Sequence, residues 1–375
     1  MNTNEIKKCT RCVLDSTVKN IRFDKNGVCS LCHLNKKLNK IPDKSKIEHL
    51  FKRIQHKMRH REYDCIVPFS GGVDSTYVLY YVKKAGLRPI AVHSDNGWVT
   101  DISRLNMEKV VGKLDVPFIS LSKDWKIMSD LYLATLKASV PEVCLACEVK
   151  SISELSAFSA EKRIPYIFFG YSPRTEGLSP LSRHYIDNRY FKGIVKRFAQ
   201  NKKATLKLTK LSPAYLIYFT FIRPIKYILL PSLIDWDELK IKKILEKELN
   251  WKDEGRHSDC LYYQVAKYIV KKKFNFDRDK TLFSSLINSG KMTREEAIRL
   301  LNKAEIADIE DRIHQVTARL GISRREFDNL LSLEPKDFTA YPTYYPFFRM
   351  IRPLIWLACR CRLHLNMLYE YFFLT

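Results

Sequence analysis

Asp64-Cys-Ile-Val-Pro-Phe-Ser-Gly-Gly-Val-Asp-Ser75 is the stretch whose reading decides the fold. Cys65 to Phe69 is a short apolar run of the kind that forms a buried parallel strand, and Gly71 and Gly72 let backbone amides approach an anion with no Cβ in the way. Asp74, Ser75 and Thr76 then open a helix whose positive end meets phosphates. No Lys follows the glycines as GxxxxGK[ST] requires, and the spacing is not GxGxxG, so neither the Walker nor the dinucleotide pattern is present. The expected anion cradle is Ser70, Gly71, Gly72, Val73, Asp74 and Ser75, with Ser70 and Asp74 its reactive members.

Downstream the pattern alternates. Short apolar runs at 64–69, 88–94, 117–120 and 165–170 are separated by helical stretches at 75–85, 101–113, 124–138 and 148–162. Such alternation predicts an α/β fold, a parallel sheet with helices on both faces. Ligands in such sheets lie beyond the carboxyl ends of the strands, where strand order reverses. That rule nominates three loops: Ser70 to Ser75, Ser94 to Trp98, and Gly170 to Gly177. Asp95 reads either as a nucleoside-binding carboxylate or as an ordinary Asp-Asn-Gly turn, and Gly170 as a second close approach to the nucleotide.

Five segments follow from composition: a cysteine module at 1–45, the α/β domain at 46–180, a basic and apolar insertion at 181–235, a helical region at 236–335, and a basic aromatic tail at 336–375. The capping boxes Thr293-Arg-Glu-Glu296 and Ser323-Arg-Arg-Glu326 mark helix starts in the fourth. The span Arg183 to Lys210 interleaves Lys and Arg with Tyr185, Tyr190, Phe191 and Phe198, and suits phosphates, nucleic acid or a solvated loop. The tail suits a partner groove, an anionic membrane surface, or packing against the protein's own body. The net charge of +24 calls for an anionic partner without choosing one. A polar start at Met1 to Lys8, and apolar stretches broken by Arg and Pro, predict a cytoplasmic protein, at most peripheral to the inner membrane face.

Ten cysteines in such a setting read as metal ligands or working thiols. Cys9-x2-Cys12 and Cys29-x2-Cys32 have the spacing of a four-cysteine zinc ribbon, in which the metal replaces a core the segment is too short to own. Cys144-Leu-Ala-Cys147 precedes a helix expected to lower the pKa of its thiols. It is open to three readings: a second zinc site completed by His257 and Cys260, an iron–sulfur cluster on Cys144, Cys147 and Cys260, or buried structural thiols.

Ser70-Gly-Gly-Val-Asp-Ser75 resembles the PP-loop of the ATP pyrophosphatases, which attack the α-phosphate of ATP and release pyrophosphate. Together with the cysteine head, Cys144-x2-Cys147, Phe169-Gly-Tyr-Ser172, Glu176-Gly177 and Gly255-Arg-His-Ser-Asp-Cys260, the chain looks like the N-acetyl sugar amidotransferase family. Lys273-Phe-Asn-Phe-Asp277, continuing through Ser284-Ser-Leu-Ile-Asn-Ser-Gly290 to Met292-Thr-Arg-Glu-Glu-Ala297, is the most specific part of the match. The resemblance covers roughly residues 5–333. It implies ATP with Mg²⁺, and adenylation of the acetamido oxygen of a surface-polysaccharide sugar, as in lipopolysaccharide O-antigen. Ammonia then displaces AMP to leave an acetamidine. The ammonia is expected from a separate glutaminase working with a cyclase-like barrel subunit, and the sugar is expected to be nucleotide-linked. The rival is a PP-loop sulfurtransferase that thiolates tRNA or a small molecule with Cys144, Cys147 and Cys260, for which a basic surface with interleaved aromatics would bind RNA. A non-enzymatic adaptor is the third reading.

Overall fold

Short, nearly uninterrupted apolar runs can be buried on both faces only in the middle of a sheet covered by helices, and that is where the runs at 64–69, 88–94 and 165–170 lie, while the run at 117–120 forms a half-exposed edge. The computed structural model describes residues 6–353 apart from 19, 39–42, 123, 179–180, 204–213, 216–217, 256–257 and 304–307. A five-stranded parallel sheet forms its centre: β1 Cys65–Pro68, β2 Pro89–Ser94, β3 Phe118–Leu121, β4 Tyr166–Phe169 and β5 Lys226–Leu229, in the order β3-β2-β1-β4-β5. Ile66 of β1 is in register with Ile90 on one side and Ile167 on the other. The chain runs outward from β1 through β2 to β3 and then returns to the opposite side at β4. The switch point is therefore the crevice between the carboxyl ends of β1 and β4.

Two buried clusters hold the molecule together. One packs the sheet against the helices Lys44–Met58 (α2), Val73–Lys84 (α3) and Asp101–Leu114 (α4) and against Ile241, Leu245 and Leu249 further on. The other joins the N-terminal cysteine head and helix Ser30–Leu38 (α1) to Trp125–Ala138 (α5), the first turns of Leu145–Lys162 (α6), and the C-terminal helices. These last are α10 Leu261–Phe274, α11 Arg278–Asn288, α12 Arg294–Lys303, α13 Ile309–Leu320 and α14 Arg324–Ser332, preceded by α7 Pro173–Glu176, α8 Asn188–Phe198 and α9 Glu238–Leu249. The head thus borrows a core from residues far along the chain. Lys280 Nζ pairs with Asp15 Oδ2 at 2.6 Å, Ser285 Oγ donates to Asn35 Oδ1 at 3.2 Å, and Arg294 Nε donates to the Cys12 carbonyl at 3.1 Å. Both sequence-predicted capping boxes form, with Glu296 N donating to Thr293 Oγ1 and Glu326 N to Ser323 Oγ.

The stretch 181–235, expected as an insertion, contributes to both clusters. Its Lys226–Leu229 is the edge strand β5, and α8 buries Tyr190, Phe191, Ile194 and Val195 while its basic residues face outward. Residues 204–213 of the basic span lie outside the described residues. The tail begins by packing back: Phe338 stacks on Tyr185 with ring centroids 4.3 Å apart, and Tyr341 Oη donates to the Ala138 carbonyl at 2.8 Å. Phe347 and Met350 then stand exposed, and 354–375 lie outside the described residues. Among the described residues no helix is long and apolar enough to cross a membrane.

Candidate functional site

The turn after β1 is shaped by its glycines. Gly71 takes a φ of +82°, and a Cβ there would lie 2.3 Å from the Ser103 carbonyl oxygen. Gly72 caps α3, and the hydroxyls of Ser70 and Ser75 face each other at 3.1 Å across the turn, with Ser70 N donating to Ser75 Oγ at 3.1 Å. Val73 and Asp74 are the first residues of α3. Gly170, at the end of β4, meets this turn across the switch point: a Cβ on it would be 2.8 Å from the Asp74 carbonyl carbon. The two loops nominated from sequence are therefore in contact. Asp95 forms the turn, its Oδ1 accepting from Gly97 N at 2.8 Å. Beneath the loops, Lys150 is 1% exposed and its ammonium bonds Glu154 Oε2 at 2.7 Å, Ser94 Oγ at 3.0 Å and the Leu121 carbonyl at 3.3 Å, which ties α6 to the ends of β2 and β3.

Over this turn run residues 251–255 and 258–260, a strap on the turn. Trp251 Nε1 donates to the Gly71 carbonyl at 2.8 Å, Lys252 N donates to Asn106 Oδ1 at 2.9 Å, and Glu254 accepts from Thr100 Oγ1 at 2.8 Å and from Ser103 Oγ at 2.5 Å. The strap ends in a bridge between Cys260 and Val99. Nothing in the periodicity of 251–260 announces this docking, because its partners are residues 71, 100, 103 and 106.

The strap also delivers Cys260 to the second cysteine pair. Asn96 Nδ2 lies 3.5 Å from Cys147 Sγ and 3.7 Å from Cys260 Sγ, and Cys144 is the N-cap of α6. Burial pushes the Cys147 thiol up to about 11 and Cys260 up to about 12, and it raises Cys144 as well, against the pull of Arg278. The expectation that the helix would lower these thiols is therefore corrected: desolvation of the thiolate outweighs the helix end. The three sulfurs share a neighbourhood without reaching the mutual spacing of a ligand set, and His257 lies outside the described residues.

Beside Cys144 is an ionic cluster that no motif marks. Glu142 is 3% exposed; its Oε2 lies 2.6 Å from His184 Nδ1, and its Oε1 lies 3.4 Å from the Arg278 guanidinium and accepts from Cys144 N at 3.0 Å. Burial alone would raise this carboxyl, but Arg278 and His184 outweigh it and hold it down at about 2. Burial raises Glu148, the next carboxyl along, despite His184 nearby. Cys144, Glu148, His184, Tyr263 and Arg278 are all half-buried around this cluster. Positions 142, 184 and 278 come together only through the packing of α6, α8 and α11.

The N-terminal cysteines do converge. The sulfurs of Cys9, Cys12, Cys29 and Cys32 all lie within 4.8 Å of one another and are buried, the one such group among the described residues. Cys9 and Cys32 are 3.9 Å apart and Cys12 and Cys29 3.8 Å, close to the roughly 3.8 Å edge of a tetrahedron drawn about Zn²⁺ at about 2.3 Å. Backbone amides of Arg11, Cys12 and Cys29 point at Cys9 Sγ, and Asn288 Nδ2 reaches Cys32 Sγ at 3.2 Å, the donors that thiolates attract. The set could hold a metal such as zinc and leaves no position open for chemistry.

Residues 254–354 match the family model "LPS biosynthesis protein WbpG-like, C-terminal domain". The match opens at Glu254, the strap residue bonded to Thr100 and Ser103, and it includes Cys260, Arg278 and the capping boxes. Over 308 residues the chain is also 24% identical to an uncharacterized protein of Methanocaldococcus jannaschii, covering 80% of this chain and 94% of the relative.

Proposed function

We propose that this chain is an ATP-dependent amidotransferase of lipopolysaccharide or related surface-polysaccharide biosynthesis. It adenylates the acetamido oxygen of an N-acetylated, nucleotide-linked sugar and replaces AMP with ammonia, giving an acetamidine. One observation carries the reading: a lysine-free Ser-Gly-Gly-Val-Asp-Ser turn lies at the switch point of a parallel sheet, with Asp259 of the WbpG-like segment against Gly72. On this reading the nucleotide and the sugar-handling segment would meet at one crevice.

The turn fits a triphosphate by shape and by charge. Backbone already occupies the space that Cβ atoms on Gly71 and Gly170 would need, so only glycine keeps the cradle open. The amides from Gly71 to Ser75 and the start of α3 would hold phosphate oxygens, with Ser70 and Ser75 as hydroxyl donors and Asp74 beside Mg²⁺. Asn96 and Cys260 link this turn to the half-buried group of Cys144, Glu148, His184 and Arg278, whose charged and polar side chains would suit the sugar. The ribbon cysteines would hold zinc as a structural ion. Burial raises Cys65, Cys144, Cys147 and Cys260, so none of these four is a ready thiolate for glutamine hydrolysis, which supports nitrogen delivery by a partner glutaminase with its cyclase-like barrel.

The test is amidine formation from an N-acetylated sugar nucleotide and ATP. Ammonium alone should support it, and glutamine only when the glutaminase partner is added. Glutamine-dependent activity from this chain alone would overturn the partner requirement.

One observation favours a second reading, since Asn96 holds Cys147 and Cys260 from a single amide with Cys144 close by. A sulfurtransferase acting on tRNA or a small molecule would place an iron–sulfur cluster there. Anaerobically purified protein would then be brown and would incorporate sulfur from a persulfide donor without responding to ammonia.

A further inference from the structure

The strap ends in two residues that face opposite ways. Cys260 has extended backbone, with φ −131° and ψ 115°, and pairs with Val99; in such a segment neighbouring side chains point to opposite sides. Cys260 turns toward Asn96 and Cys147. Asp259 turns toward the phosphate turn, where its Oδ2 lies 3.0 Å from the point that a Cβ on Gly72 would occupy, with Ser70 Oγ 3.4 Å from the same point. The Asp259 carbonyl accepts from Thr100 N, its neighbour Cys260 bridges to Val99, and Leu261 N donates to the Trp98 carbonyl, so its position is built by several contacts. Among the described residues no side chain pairs with its carboxylate.

This placement sets up a conflict. The amides of the turn and the start of α3 ask for an anion, yet a carboxylate already stands against Gly72. A polyphosphate and that carboxylate repel each other unless a divalent cation lies between them, and Mg²⁺ is bound by one or two carboxylates together with substrate phosphates. We infer that Asp259 is a positioning residue that makes nucleotide binding at the Ser70 to Ser75 turn depend on a divalent cation, with the carboxylate contributed by the C-terminal segment and not by the sheet. The inference rests on the ATP reading above. It assigns Asp259 a role separate from that of Asp74, which belongs to the turn itself.

The experiment uses the full-length, zinc-loaded chain and ATP. Dissociation constants are measured by calorimetry with saturating Mg²⁺ and in Mg²⁺-free buffer without chelator, for the wild type, Asp259→Asn and Asp259→Glu. The wild type should bind far more tightly with Mg²⁺. In Asp259→Asn the ratio of the two constants should shrink by at least about tenfold, the scale of one charge-assisted contact, through weaker binding with Mg²⁺ and tighter binding without it. Asp259→Glu should restore much of the ratio. Asp259→Ser gives the same reading if the Asn variant does not fold, as judged by zinc content and melting. An unchanged ratio in a folded neutral variant overturns the inference and leaves ATP binding standing. A wild type that binds no ATP under either condition overturns both.

Discussion

Replacing Glu142 by Gln removes a charge and almost no volume, and the structure sets the size of the effect. The carboxyl moves from 4.5 to about 2 on folding, which at about 1.36 kcal/mol per unit makes the charged form worth about 3 kcal/mol to the folded state. Because the folded value is depressed, that contribution is complete above the unfolded value and disappears as pH falls through about 2. His184 runs the other way: its raised value gives stability that is full below 6.5 and is lost as pH climbs through the folded value. The amide oxygen of the Glu142→Gln variant would still accept from Cys144 N, but Arg278 and His184 would lose the carboxylate they share. Urea unfolding at a series of pH values should therefore show Glu142→Gln about 3 kcal/mol less stable at pH 6, with the gap from wild type narrowing steadily below pH 4.5. Acid also protonates the N-terminal sulfurs, but that loss is common to both proteins and cancels in the difference. A gap that stays constant from about pH 6 to about pH 3, or a variant as stable as wild type, would refute the reasoning.

Cys29→Ser should abolish zinc binding, withdrawing roughly 10 to 16 kcal/mol of apparent metal-binding energy and loosening the head; a variant with full metal content and unchanged melting would contradict the ribbon assignment. Gly170→Ala should weaken ATP binding about tenfold or more while the circular dichroism spectrum is retained, because the new methyl meets the Asp74 backbone at 2.8 Å, and normal binding would contradict the contact between the two loops.

The α/β half was legible because its strands are short apolar runs cut by Gly, Pro and Asp and separated by helical stretches. Lys226–Leu229 was not, since its Lys226 and Tyr227 are exposed and it sits among Arg223, Pro224 and Pro231. The helix Asn188–Phe198 was masked by its basic residues, although Tyr190, Phe191, Ile194 and Val195 recur at helical spacing. Within the site, the phosphate turn is local and announces itself. Glu142, His184, Arg278 and Asp259 act across long stretches of chain, so their meeting is a property of packing. Asp259 and Arg278 stand in or beside segments quoted for the family resemblance, yet no local pattern distinguished them from their neighbours.

The most direct measurement is the identity of the phosphorus products when the zinc-loaded chain turns over ATP with an N-acetylated sugar nucleotide and ammonium, followed by ³¹P NMR. One AMP and one pyrophosphate are expected for each acetamidine formed, and none of the three from Asp74→Asn. ADP with inorganic phosphate, or acetamidine formed without ATP consumption, would contradict the adenylating mechanism.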